Sequence, residues 1–136
     1  MFELTLDAAI ENLDKVISFV DGHLESLGCS MKVQMQLDVA VEELFVNIAR
    51  YAYAPNVGKA TIMLEWDEAE ASVAITFIDE GIPFDPLKKA DPDVTLSLEE
   101  RPVGGLGIFM VKKSVDKMEY DHRDGRNILI IRKKIR

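Results

Sequence analysis

Between Ala60 and Asp79 the chain alternates twice between apolar and polar positions. Ala60, Ile62, Leu64 and Trp66 take every second place in one run, and Val73, Ile75 and Phe77 do so in the next. A period of two puts each apolar set on one side of a strand. The acidic Asp67-Glu68-Ala69-Glu70 between the runs suits a surface hairpin turn. A hairpin with one apolar face must have that face covered, so the rest of the chain has to supply a second layer.

The preceding segment offers it. Ile10, Leu13, Val16, Ile17, Val20, Leu24 and Leu27 recur at spacings of three and four, which predicts an amphipathic helix ending near Gly28. Ser30 can cap a second helix whose apolar stripe is Val33, Leu37, Val41, Leu44 and Ile48. That helix is expected to run to about Tyr53, before Pro55 and Gly58. Ahead of both, Phe2, Leu4 and Leu6 alternate with Glu3 and Thr5 as a short strand.

From Gly81 to Gly104 the periodicity disappears, and Pro83, Pro86, Pro92 and Pro102 fall in this stretch. It reads as a long loop, the kind that forms lids over sites. A third helix follows from about Leu106, with Ile108, Val111, Val115 and Met118 on its stripe. Two strands close the chain, around Met118 to Arg123 and Asn127 to Ile135, joined by Asp124-Gly125. The order β-α-α-β-β-loop-α-β-β predicts an α+β two-layer sandwich. Its sheet is mixed but mostly antiparallel, and its helices lie on one face. The 136 residues fit a single domain spanning 1–136.

Composition narrows the function classes. A formal net charge of −8 argues against nucleic acid and anionic membrane surfaces as partners. The N-terminal residues lack a basic region followed by an apolar run, and no apolar stretch reaches the roughly 18 residues of a bilayer span. With Cys29 alone there is no intramolecular disulfide, so a reduced, cytoplasmic setting is expected. His23 and His122 have no clustered ligand partners, which argues against zinc. The methionines Met31, Met35, Met110 and Met118 read as core or interface packing.

A few polar residues stand out against this frame. Glu43 and Asn47 are four apart on the second helix, hence on one face at the edge of its apolar stripe. A carboxylate there can accept a proton, and an amide oxygen is a hard donor suited to Mg²⁺. Asp79 continues the apolar row Val73, Ile75, Phe77, so its carboxylate turns toward the core face, where a charge needs a partner. It either caps the loop by accepting from the amides of Glu80 and Gly81, or it accepts a hydrogen bond from a ligand amine while Gly81 lets the backbone approach closely. Gly104-Gly105-Leu106-Gly107 opens the third helix, where exposed amides favour phosphate. It is neither a dinucleotide fingerprint, since Met110 stands where the third glycine belongs, nor a P-loop.

Taken together these segments resemble the GHKL ATPase/kinase superfamily, which includes gyrase, histidine kinases and the anti-sigma factor serine/threonine kinases. Glu43-x-x-x-Asn47 resembles its N box. Asp79-Glu80-Gly81-Ile82-Pro83-Phe84-Asp85-Pro86 resembles its first glycine box in the anti-sigma kinase form, and Gly104-Gly105-Leu106-Gly107-Ile108 its second. The resemblance implies a Bergerat-type ATP-binding fold with a lid over about 82–104. It implies that Asp79 takes the exocyclic amine of adenine, with Gly81, Pro83 and Phe84 in the same box. Asn47 would be the Mg²⁺ ligand, and Glu43 the base that aligns the attacking hydroxyl. Gly104, Gly105, Leu106 and Gly107 would form the hinge and amide cradle at the phosphates. Arg50 falls where a basic residue can reach a phosphate, and Asn127 where a threonine often supports the adenine contact. Tyr51 stands where many members have a histidine, and Asn127 replaces the usual threonine.

The function so implied is an ATP-dependent serine/threonine protein kinase acting as an anti-sigma factor in a partner-switching module. It would use ATP and Mg²⁺, sequester a sigma factor, phosphorylate a STAS-type antagonist on serine and form a homodimer. A non-catalytic nucleotide-binding regulatory module that binds a partner protein is the alternative. A detached histidine kinase catalytic domain fits less well, because His23 lacks the acidic neighbour usual at a phosphoacceptor.

Overall fold

The computed structural model describes residues 1–88 and 105–135. The predicted hairpin forms from β2 (Lys59–Asp67) and β3 (Ser72–Asp79), paired so that Ile62 faces Phe77 and Leu64 faces Ile75. Strand β1 (Phe2–Asp7) flanks β2, and β5 (Arg126–Lys134) flanks β3, with β4 (Lys117–Arg123) outside it. The sheet order is β1-β2-β3-β5-β4 and every neighbouring pair is antiparallel, where a mixed sheet was also open. The β4–β5 turn places Asp124 and Gly125 at φ 55° and 76°, the two positive angles of a tight hairpin connection.

The alternation buries one face. Ala60, Ile62, Leu64, Val73, Ile75, Phe77, Leu129 and Ile131 join a single core with Val16, Val20 and Leu24 of α1 (Leu13–Ser26). Leu37, Val41, Leu44 and Phe45 of α2 (Met31–Asn47) and Ile108 and Val111 of α3 (Gly105–Ser114) complete it. Helix α2 starts as predicted, with the Ser30 hydroxyl accepting from the Val33 amide at 3.3 Å. All these helices contribute to the one core against the one sheet face, which is the two-layer α+β arrangement expected from the periodicity.

The elements depart from expectation at their ends. Ile10 lies in a separate 3₁₀ turn (Ile10–Asn12) and is 49% exposed. That turn has three residues per turn, which takes Ile10 out of phase with the α1 stripe. The third helix ends at Ser114, and Met118 belongs to β4. The chain leaves the helix there because the Asp116 amide donates to Arg132 O at 2.9 Å and its carboxylate accepts from the Lys134 amide at 2.7 Å. After Asn47 the second helix continues as a wider π turn, Ile48–Ala52. Met31, Met35 and Met110 are exposed, whereas Met118 packs against the core. Of the predicted loop, residues 86–88 form a 3₁₀ turn, and residues 89–104 lie outside the described residues.

Candidate functional site: a pocket at the end of the core

The core row of β3 runs Val73, Ile75, Phe77 and then Asp79, and the facing row of β5 runs Ile131, Leu129 and then Asn127. The registers put Asp79 opposite Asn127, so the row turns polar at one end of the sheet on both strands at once. Both residues are buried, at 6% exposure each. A buried carboxylate is costly without donors. Asp79 Oδ1 accepts from the Gly81 amide and from Asn127 Nδ2, each at 2.9 Å. The loop-capping role expected of Asp79 is therefore half present: Gly81 donates to it, while the Glu80 amide donates instead to the Tyr53 hydroxyl at 2.6 Å. The second oxygen, Oδ2, has no hydrogen bond among the described residues.

Asn127 is fully engaged. Its Nδ2 also donates to Ile82 O at 2.9 Å, and its Oδ1 accepts from the Phe84 amide at 3.2 Å and from the Tyr120 hydroxyl. Burial pushes the Tyr120 phenol up, against the Phe84 amide and with the help of the Asp85, Asp79 and Asp121 charges. The end of α2 is tied in from the other side. The Ile82 amide donates to Ala52 O at 2.9 Å, and the Tyr53 hydroxyl donates to Lys59 O at 2.6 Å. Burial also raises the Tyr53 phenol, with the Glu80 amide opposing it. Gly81 sits so close to Ala52 that a Cβ would strike that residue's backbone oxygen.

Above this polar end lies a cavity of about 440 Å³. Asp79 and Asn127 share it with apolar walls from Phe77, Leu129, Ile108 and the π turn. Phe84 and Asn47 line it as well. A smaller space of about 90 Å³ adjoins it through Asn47, Tyr51 and Ile108, and is lined by Glu43, Arg50 and Gly107. The π turn explains the shared wall: an inserted residue widens the helix and turns Tyr51 and Ala52 toward the cavity. The Glu43 carboxylate lies against Gly107, where a side chain on Gly107 would collide with it. The site thus pairs a mostly apolar chamber with a carboxylate at its end, and a polar annex that holds an acid, an amide and a cation.

Residues 6–133 match the sequence profile of the histidine kinase-like ATPase domain. The chain belongs to this family. Membership implies ATP as the nucleotide. The chain is 24% identical over 132 residues to the serine-protein kinase RsbW of Bacillus cereus, covering 94% of this chain and 81% of that protein. It is 26% identical over 102 residues to the serine/threonine-protein kinase BtrW of Bordetella bronchiseptica, covering 75% and 71%. Among solved structures, the RsbU and RsbW domains of Rv1364c from Mycobacterium tuberculosis superpose with a TM-score of 0.65 at 16% identity. The match covers 99% of this chain and 33% of that one, so the present chain spans about a third of its length. The Acinetobacter baumannii histidine kinase AdeS superposes with a TM-score of 0.53 at 17% identity over 99% of this chain. These likenesses show the histidine kinase-like ATPase fold.

Of the residues singled out from sequence, Asn47, Asp79, Phe84 and Asn127 meet at the large cavity, and Glu43, Asn47, Arg50 and Gly107 at the small one. Gly81 supports the wall without lining either, Pro83 is exposed, and Gly105 is the first residue of α3. Gly104 and the Leu106 side chain lie outside the described residues. Sequence reasoning passed over Tyr120 and Tyr53. The available signal for Tyr120 was its place in β4, opposite Leu129 and two residues along β5 from Asn127. No helix among the described residues is long and apolar enough to cross a membrane.

Proposed function

We propose that this chain is an ATP-dependent serine/threonine protein kinase acting as an anti-sigma factor in a partner-switching module. It phosphorylates a STAS-type antagonist on serine, alternates between that antagonist and a sigma factor, and works as a homodimer in the cytoplasm. The observation that carries the reading is the adjoining pair of cavities, with Asp79 at the end of one and Glu43, Asn47 and Arg50 around the other. The names of the RsbW and BtrW relatives support the kinase assignment. The reading takes the whole chain as one ATP-binding domain, with residues from about 82 to 104 as its lid.

The chemistry follows from the donor set. Adenine presents an amine to Asp79 Oδ2, and the flat apolar walls of Phe77 and Leu129 exclude water around the ring. The phosphates extend toward the annex, where Arg50 supplies a cation, and Gly105 and Gly107 supply amides at the helix start. Asn47 would offer an oxygen to Mg²⁺, a hard cation that favours oxygen donors. A bound Mg²⁺ would supply charge neutralisation for phosphoryl transfer. Glu43 accepts the proton of the attacking serine hydroxyl and orients it. Guanine would set an oxygen against Asp79 and leave two acceptors facing each other, so ATP is favoured over GTP by at least about tenfold.

Calorimetry with Mg²⁺ tests the nucleotide site. Micromolar ATP binding, weaker GTP binding and loss of ATP binding in Asp79→Asn are expected. Equal affinity for ATP and GTP would remove Asp79 from its role. Glu43→Ala separates the catalytic reading from the non-catalytic module: a kinase loses transfer of the γ-phosphoryl group to the antagonist and keeps ATP. If the native protein binds ATP and its partner but transfers nothing, the non-catalytic module is the correct reading.

A further inference from the structure

Asn127 stands where the family resemblance sets a threonine, and the structure shows what its side-chain amide does. An amide carries two donors and an acceptor oxygen with two lone pairs, and here all four are used. Its partners leave no freedom of orientation. The Phe84 amide can only donate and the Ile82 carbonyl can only accept, so the oxygen must face Phe84 and the nitrogen must face Ile82 and Asp79. The Tyr120 hydroxyl completes the oxygen's side from β4. One side chain on β5 therefore joins the Asp79 carboxylate on β3, the Ile82 carbonyl, the Phe84 amide, and a half-buried phenol on the edge strand.

We propose that Tyr120 and Asn127 form a positioning pair that couples nucleobase selection at Asp79 to the placement of residues 82–84, the root of the proposed lid. The inference rests on the nucleotide-binding reading above and adds to it the link through Tyr120 and residues 82–84, which the motifs do not assign. By occupying Oδ1, Asn127 leaves Oδ2 of Asp79 as the acceptor that meets the base. By holding Ile82 and Phe84, it fixes the segment that leaves the end of β3. Tyr120 lines the large cavity, and its hydroxyl is engaged with Asn127. It holds the Asn127 amide against rotation and also meets the Phe84 amide directly.

The test uses the full chain with Tyr120→Phe and Asn127→Thr, read by amide hydrogen exchange at Phe84 and by the ATP-to-GTP affinity ratio. Tyr120→Phe keeps the ring and removes the hydroxyl. It should speed Phe84 exchange about tenfold and lower the ATP-to-GTP ratio several-fold, with the melting temperature nearly unchanged. A threonine hydroxyl can still donate to Asp79 but cannot also span Ile82 and Phe84. Asn127→Thr should therefore retain most of the selectivity while Phe84 loses part of its protection. A parent protein that selects ATP normally, with both variants matching it in exchange and ratio, would overturn the positioning pair and leave the nucleotide site standing. A parent protein that binds neither nucleotide would overturn the nucleotide reading itself, and the pair with it.

Discussion

At the scale of single residues, the fold places charge with care at the pocket and less so between α1 and α2. Asp79 is buried with two donors on one oxygen. Asp21 and Asp38 instead each bury an Oδ1 without a hydrogen-bond donor. Burial pushes the Asp38 carboxyl up to about 7, aided by its hydrogen bond with Asp21 and by the charges of Asp21 and Glu25. A proton on the Asp38 carboxyl would supply a donor between the two side chains. The folded value lies above the unfolded one, which is about 4. The contribution to stability is therefore full below about pH 4 and is lost as pH rises through about 7. Asp38→Asn keeps a donor at every pH. Thermal melting at pH 5 and pH 8 should show the parent losing stability between the two, and the variant losing markedly less. An identical pH response in both proteins would exclude this pair as its source.

At the scale of elements, the site depends on close backbone approach as much as on side chains. The π turn after α2 carries Ala52 O to the Ile82 amide, and Gly81 fits beside it only because it lacks a side chain. Gly81→Ala meets backbone that cannot step aside, and should cost about 1–3 kcal/mol in denaturant unfolding. Gly107→Ala meets the end of the Glu43 side chain, which can rotate away. Its expected signature is the opposite one: stability close to the parent, and phosphotransfer reduced by about a hundredfold as the carboxylate is displaced. If Gly107→Ala instead unfolds the protein and leaves the rate per folded molecule unchanged, Glu43 is not held by this contact for catalysis. The same scale explains the helix ends. Propensity carries α3 toward Met118, but pairing of the Asp116 amide with Arg132 stops it at Ser114.

At the scale of the whole molecule, the pocket opens where the core ends, so ligand and core share walls. Phe77 is at once a fully buried core residue and a wall of the cavity. Occupancy should therefore be read in global stability. ATP at a hundred times its dissociation constant adds about 2.7 kcal/mol, which for a chain of this size raises the melting temperature by about 10 °C. GTP at the same concentration should raise it less. A scan in which saturating ATP leaves the transition unmoved would contradict binding to the folded state.

The apolar periods by themselves determined the layers. Alternation in 60–66 and 73–79 and the three-four spacing from Leu13 to Leu24 report burial, and burial of one face is a local property of sequence. The Glu43–Asn47 pair and the glycine clusters were equally legible as patterns, because their spacing is local. Asn47 and Glu43 share a face whatever else the chain does. What the tertiary structure alone decided are the long-range pairs. Asp79 meets Asn127 across 48 positions, and Tyr120 and Ile82 join them, because the β3–β5 and β4–β5 registers happen to end at the same edge. A one-residue shift in either register would send those side chains to the opposite face. The opposed carboxyls of Asp21 and Asp38 likewise arise only when α1 and α2 pack. Patterns along the chain say which face is buried, and only the docked elements say which polar groups are buried together.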